Sequence, residues 1–413
     1  MKSSGIPWLG DVPEGWDIKK GKYCLRQINR PTKEEDGVIT CFRDGEVTLR
    51  SKRREEGFTV SMKEIGYQGI EPGDLVVHGM DGFAGSIGVS DSRGKASPVL
   101  IVLDTEQDKK FLMYYLRTVA YKNVFVGLAT GIRVRSCDLR WPKLAELPYL
   151  LPPLPEQRAI AERIDCEVAR VDALREKIKR EIERLGDYKK SLIAETVTRG
   201  LRKRKMKPSG IPWLGDVPAE WEVIPLFKLA CQVKLPNDGM VEKNLLSLSY
   251  GRIIRKDMET ASGLVPENYA GYNRIEANDI VLRLTDLQND QKSLRVGLSQ
   301  ERGIVTSAYL TIRPNADCIA DYLAYVIKVF DFKKGFYGIG SGVRQSLKFS
   351  EVKKIFIALP PLPEQREIAA YLDRAVSRID AVVARRKAQV EKLESFKRSL
   401  IQEYVTGKRE VCL

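Results

Sequence analysis

Histidine occurs once in the 413 residues, no Cys-x-x-Cys pair is present, and no apolar run approaches the roughly 18 residues a membrane span requires. Each shortage excludes a class of chemistry. The single imidazole, in His78-Gly79-Met80-Asp81-Gly82, stands apart from any cluster of cysteines or carboxylates. It reads as a loop or structural residue, not a catalyst or a metal ligand. The seven cysteines (Cys24, Cys41, Cys137, Cys166, Cys231, Cys318 and Cys412) are scattered and odd in number. Reduced thiols in the cytoplasm fit them better than a disulfide framework or a zinc site. The N-terminal stretch has no apolar signal-peptide core. Nucleotide fingerprints are missing too: Gly338-Ile339-Gly340-Ser341-Gly342 lacks dinucleotide-fold spacing, and Gly94-Lys95 lacks the upstream glycine of a phosphate loop.

Cationic charge, by contrast, is in surplus. Lys and Arg number 69 against 55 Asp and Glu, a net charge of +14 with a pI near 9.3. Such a balance favours a polyanionic partner, because each neutralised phosphate releases counterions. Nucleic acid is the first candidate and an acidic membrane surface the second. The length suggests two or three domains.

The strongest pattern is a repeat. Pro-Pro-Leu-Pro-Glu-Gln-Arg occurs at Pro152–Arg158 and again at Pro360–Arg366, each time opening a proline-free segment that closes near Gly200 or Gly407. Proline and glutamate suit a first helical turn, and glycine suits the stop. In the first segment Ile164, Val171, Ile178, Leu185 and Leu192 recur every seven residues, flanked by Val168, Leu174, Ile182 and Tyr188. In the second, Leu372, Ile379, Leu393 and Leu400 recur, flanked by Val376, Val382, Val390 and Phe396, with Arg386 standing where Ile178 stands in the first. A sustained heptad with intervening charges predicts a coiled coil. Two such stripes in one chain most simply bury each other; two separate amphipathic helices, each on its own domain, are the alternative.

The chain also starts twice, since Ser4-Gly5-Ile6-Pro7-Trp8-Leu9-Gly10-Asp11-Val12-Pro13 returns at Ser209–Pro218. A whole domain-plus-helix unit is therefore duplicated. Between the shared ends, Glu71-Pro72-Gly73-Asp74 answers Glu276-Ala277-Asn278-Asp279, each a turn into a β-type run, and Thr130-Gly131-Ile132-Arg133 answers Ser341-Gly342-Val343-Arg344. Other stretches are unrelated, notably 42–58 against 248–269. A shared scaffold with unlike loops implies two modules that read different ligands. Strand and helix signals mix in each, so each reads as α+β. Arg199–Lys207 is a dense basic run that serves as a phosphate strap, a flexible joint, or both.

On the doubled helix motif, the doubled opening and the basic charge, the chain resembles the specificity subunit of type I restriction–modification systems over essentially its full length. The resemblance implies an α+β fold of two globular target recognition domains joined by two long antiparallel α-helices. These would form an intramolecular coiled coil, pseudo-two-fold through the internal duplication. The expected domains are residues 1–151 and 201–359, with the helices at 152–200 and 360–413. It further implies that each recognition domain reads half of a bipartite sequence in double-stranded DNA. The helices would scaffold two methyltransferase (modification) subunits and, in the full complex, translocating restriction subunits. S-adenosylmethionine, ATP and Mg would belong to those partners, with no cofactor, metal or catalytic residue in this chain. Its own residues agree: both Pro-Pro pairs are followed by Leu and start helices, where an adenine methyltransferase needs an aromatic residue to hold the flipped base.

Candidate DNA contacts come from the residues. In the first module, 42–54 is richest and offers Arg43, Arg50, Lys52, Arg53 and Arg54; in the second, Arg252, Arg255 and Lys256 are the counterparts. Arginine can lie bidentate on guanine, and either cation can grip phosphate. Arg133, Arg135, Arg344 and Gln345 follow the paired glycine turns. Gln345 could pair with adenine, but their occurrence in both halves favours backbone positioning. Arg283 and Arg295 are weaker candidates, as strand-borne arginines that often face solvent. Trp8 and Trp213 read as domain-edge packing. The helices are expected to act as a ruler between half-sites, with apolar surface near Ile160 and Ile368 left for partner docking. A coiled-coil DNA-binding regulatory or structural protein without methyltransferase partners is the competing reading; a stable homodimer through Ile178 and Leu185 would favour it.

Overall fold

Two turns of the same chemistry lead into the two four-stranded sheets among the described residues. Asp74 accepts the backbone N–H of Glu71 at 2.8 Å, and Asp279 accepts that of Glu276 at 2.8 Å. The residue before each aspartate holds a left-handed backbone, Gly73 at φ +87° and Asn278 at φ +72°, which glycine and asparagine tolerate best. Each buried carboxylate is held by a guanidinium, Asp74 by Arg30 and Asp279 by Arg313 (2.7 and 2.8 Å).

The computed structural model describes residues 1–54, 64–128, 139–256, 269–287, 294–339 and 346–411. They divide into two units, Met1–Lys179 with Lys387–Leu413, and Arg180–Arg386. In the first, β1 (Arg26–Ile28), β2 (Leu75–His78), β3 (Ile87–Val89) and β4 (Leu100–Asp104) form an antiparallel sheet in the order β1-β4-β2-β3. Leu75, Val77, Ile101 and Leu103 face a core closed by the helix α1 (Lys109–Tyr121). Val76, Leu100 and Val102 face a second layer made by Ile39–Cys41 with Val47–Leu49, and Gln68–Ile70 with Gly94–Ala96. Cover on both faces explains why these strands are continuously apolar and do not alternate.

The second unit repeats this order. Strands β5 (Ala230–Val233), β6 (Ile280–Leu282), β7 (Val296–Leu298) and β8 (Leu310–Pro314) run β5-β8-β6-β7, with the helix α3 (Ala320–Phe332) on one face. The other face carries Leu246–Ser249 with Arg252–Arg255, and Asn273–Ile275 with Gly303–Val305.

Helix α2 (Leu154–Arg199) has 46 residues and α4 (Leu362–Val405) has 44. Pro155 and Pro363 sit in the first turns, where a missing N–H costs little. Gly200 (φ +75°) and Gly407 (φ +68°) close the far ends. In each unit the two helices run antiparallel. In the first, Arg163 meets Tyr404 (3.2 Å), Asp172 meets Lys397 (2.7 Å) and Arg175 meets Glu394. In the second, Glu181 meets Arg386 (3.2 Å) and Lys189 meets Asp380 (2.6 Å).

Ile164, Val171, Ile178, Leu372, Ile379 and Leu400 are buried; Leu185, Leu192 and Leu393 are half-buried. The neighbouring line is only partly the one the apolar residues suggest: Val168, Ile182, Val376 and Val390 are half-buried. Leu174, Tyr188, Val382 and Phe396 are exposed, while Arg175, Lys189, Val383 and Lys397, one position on, turn inward. Cross-helix ion pairs let charged side chains occupy that line. Nor do Ile160 and Ile368 offer a docking surface: they are 1% and 0% exposed, packed into the core of the first and second unit respectively.

Candidate nucleic-acid interface

In the first unit the chain turns at 42–46 between Ile39–Cys41 and Val47–Leu49, then forms one helical turn, Arg50–Arg53. This hairpin and the end of β2 border a cleft of about 870 Å³, lined among others by Phe42, Arg43, Arg50, Arg53, Arg54 and His78. The cations are held by neighbours. Arg43 donates to Asp81 at 3.0 Å, Arg50 Nε to Thr40 Oγ1 at 2.9 Å, and Lys52 to Ser92 Oγ at 2.6 Å. Arg53 donates to Asp44 (2.6 and 3.0 Å) and Glu46 (2.5 Å), its guanidinium carbon 4.0 Å from the centre of the Phe42 ring. Burial pushes the Asp44 carboxyl up, but the hydrogen bonds from Arg53 and from the Glu46 N–H outweigh it and hold it below the usual range.

His78 is a loop staple. Its Nδ1 accepts the backbone N–H groups of Met80 (3.2 Å) and Asp81 (3.0 Å), which places its neutral-form proton on Nε2. Burial lowers its pKa, helped by Arg43 and opposed by Asp81.

In the second unit, Leu246–Ser249 and Arg252–Arg255 are joined by Tyr250 (φ +46°) and Gly251 (φ +76°), a two-residue turn with both centres left-handed. Tyr250 is 84% exposed at its tip. Arg252 donates to Asp380 at 2.9 Å, Arg255 Nε donates to both carboxylate oxygens of Glu301 (2.9 and 2.8 Å), and Lys256 is exposed. Arg295 does not face solvent, contrary to the expectation for a strand-borne arginine. It is fully buried, donating Nη1 to the carbonyls of Arg283 and Thr285 at 3.0 Å each. Arg133, Arg135, Arg344 and Gln345 lie outside the described residues.

Among the described residues no helix is long and apolar enough to cross a membrane, and no group of His, Cys, Asp and Glu is placed to hold a metal ion.

Residues 262–392 match the type I restriction modification DNA specificity domain. Over 97% of its length the chain is 25% identical to the type I restriction enzyme MjaVIII specificity subunit of Methanocaldococcus jannaschii, covering 94% of that protein. Two solved structures share the fold. One is a chain of the type I restriction–modification system, solved in work on its complex assembly and conformational transition (TM-score 0.71, 14% identity, 97% of this chain and 100% of that one). The other is the HsdS subunit from Thermoanaerobacter tengcongensis (TM-score 0.51, 15% identity, 97% and 98%). Over nearly its whole length the chain is thus similar to type I restriction–modification specificity subunits.

In this chain the repeated helix motif does more than start helices. Gln157 and Gln365, in the two Glu-Gln-Arg triplets, are 0% and 1% exposed and tie each long helix to the short helix of its own unit. The spacing of the motif points to a helix start but leaves the glutamine without a role. Arg117, Tyr121 and Arg398 carry no such signal in the sequence. They form a second charged cleft of the first unit, and none stands in a run that draws attention in the sequence.

Proposed function

We propose that this chain selects the DNA on which a type I restriction–modification complex acts, each globular part reading one half of a bipartite target. One observation carries the reading: the two units share strand order, turn chemistry and helix clamp, yet present unlike hairpins where the arginines cluster. A common frame with different readers is what two different half-sites on one duplex require. Arg43, Arg50, Lys52, Arg53 and Arg54 serve the first half, and Arg252, Arg255 and Lys256 the second, by trading their present partners for bases and phosphates. Arg133, Arg135, Arg344 and Gln345 complete the contacts as backbone-positioning groups. The long helices act as scaffold for two modification subunits, which carry S-adenosylmethionine, and for restriction subunits, which carry ATP and Mg. The complex works in the cytoplasm.

Methylome mapping of cells with and without the chain tests this. The expected result is a split methylated-adenine motif that depends on the chain, of which only one half changes when residues 1–151 are exchanged for those of a relative. A motif that is continuous, or that survives loss of the chain, would overturn the proposal. Insertion of one heptad into both helices adds about 10 Å of rise and should lengthen the spacer between the half-sites; an unchanged spacer would remove the ruler role.

A further inference from the structure

Two arginines of the first unit have no carboxylate within ion-pair distance among the described residues, and both lie on the same tyrosine. Arg117 of α1 is 8% exposed; its Nη2 donates to the Tyr121 hydroxyl at 2.9 Å and its buried Nε has no partner. Arg398 of α4 is exposed and lies over the ring, its guanidinium carbon 4.7 Å from the centroid. All three line a cleft of about 550 Å³ that holds five cations against three carboxylates. Those carboxylates are already engaged: Asp44 by Arg53, Asp172 by Lys397 and Glu394 by Arg175. The surplus sits on Arg117 and Arg398.

From this arrangement we infer a binding site for a backbone phosphate of duplex DNA, a contact that rests on the proposed function and adds to it. A buried guanidinium without a counter-ion is costly, and an incoming anion removes the cost. Planar guanidinium groups match phosphate oxygens in pairs, and the Tyr121 hydroxyl supplies a third donor. The reading hairpin is seated on this group: a Cβ on Gly45 (φ +95°) would fall 2.3 Å from Arg117 Nη1. Arg43 and Asp44 border both this cleft and the larger one beside it. A strand read in one cleft therefore has its backbone within reach of the other.

The second unit does not repeat the group, so the group is not a requirement of the shared scaffold. Helices α1 and α3 have 13 residues each, and the ninth and thirteenth positions, Arg117 and Tyr121, become Lys328 and Phe332. Arg158 recurs as Arg366, a step of 208, and the same step carries Lys190 to Arg398. Lys190 is paired with Asp187 at 3.2 Å.

The test is binding of the full-length chain to a DNA duplex of arbitrary sequence, followed by fluorescence anisotropy over a range of KCl. Arg398 is exposed and outside the buried helix seam, so Arg398→Ala should leave the melting temperature unchanged. It should weaken duplex binding about tenfold, with a log K against log salt slope shallower by about 0.9, the loss of one phosphate contact. Arg398→Lys should keep the slope. A wild-type slope in Arg398→Ala overturns the inference while leaving the proposed function standing, whereas a wild-type chain without duplex affinity removes both. Inorganic phosphate separates the two sources of the anion. If it raises the melting temperature of the wild type but not of Arg398→Ala, while the duplex slopes stay equal, the cleft is a free-anion site and the DNA assignment fails.

Discussion

Gln157 accepts the backbone N–H of Asp108 through Oε1 at 2.9 Å. Asp108 is the N-cap of α1, its own carboxylate accepting from the Phe111 N–H at 2.8 Å. The Gln157 amide nitrogen donates to the Pro152 carbonyl (2.8 Å) and to Gln107 (2.6 Å), so one fully buried side chain joins the starts of two helices. Gln365 repeats the clamp on the N-cap of α3, accepting from Ile319 at 2.8 Å and donating to the carbonyls of Pro360 (2.9 Å) and Asp317 (3.0 Å). Alanine at either position leaves buried backbone groups unpaired, a cost of about 1–3 kcal/mol. Hydrogen exchange should show Gln157→Ala loosening α1 and the start of α2, and Gln365→Ala loosening α3 and the start of α4. Equal protection in both variants would remove the clamp.

The pair Asp172–Lys397 in the first unit has the same place in the repeat as Asp380–Lys189 in the second, at 2.7 and 2.6 Å. Both pairs lie along the inner face of the helices, where partial burial reduces screening. Double-mutant cycles to alanine should give a coupling of about 0.5–1 kcal/mol for each pair. The coupling should shrink only slightly between low and physiological salt. A coupling near zero would mean that the helices are registered by their apolar residues alone.

The sequence made these helices legible because a seven-residue period survives whatever lies beside it. It hid which neighbouring line turns inward. An apolar reading selects Leu174, Tyr188, Val382 and Phe396, but the half-buried line passes through Arg175, Lys189 and Lys397, whose acidic partners lie on the other helix. Gln157 and Gln365 were opaque for the same reason, their partners being 49 and 46 residues away in the chain. The arginine-rich hairpins could be found as charge runs. Their restraint by Asp81 or Glu301 could not, since those acids lie on other strands and loops. Arg295 carries the same lesson, because nothing in its local sequence announces the carbonyls of Arg283 and Thr285 that bury it.

Arg53 can reach DNA only by leaving Asp44 and Glu46. Under the proposed function those carboxylates compete with the duplex for the guanidinium. Asp44→Asn should therefore tighten binding about threefold to tenfold, and Arg53→Ala should weaken it about tenfold, since charge-assisted hydrogen bonds contribute roughly 1.5–3 kcal/mol. Anisotropy titrations with a duplex carrying the mapped motif measure both. Weaker binding in Asp44→Asn would show instead that the carboxylate positions Arg53 for contact.

Asp104, at the end of β4, lies between Arg26 of β1 and Lys109 (3.0 Å), the first residue of α1. The hydrogen bond from Arg26 lowers its pKa most, burial opposes, and Lys109 and the Thr105 N–H add to the lowering, which brings it to about 2. A carboxylate depressed on folding contributes stability that is complete above its unfolded value, 3.8, and is lost as the pH falls towards 2. Asp104→Asn should lower the melting temperature at neutral pH by about 2–4 °C, the shift that roughly 1 kcal/mol produces in a unit of this size. Below pH 4 the gap between variant and wild type should narrow, and most of it should be gone by pH 2, where about half of the folded wild-type carboxyl is protonated. A gap that stays constant down to pH 2 would assign the loss to packing at the sheet edge, with no part played by the two cations.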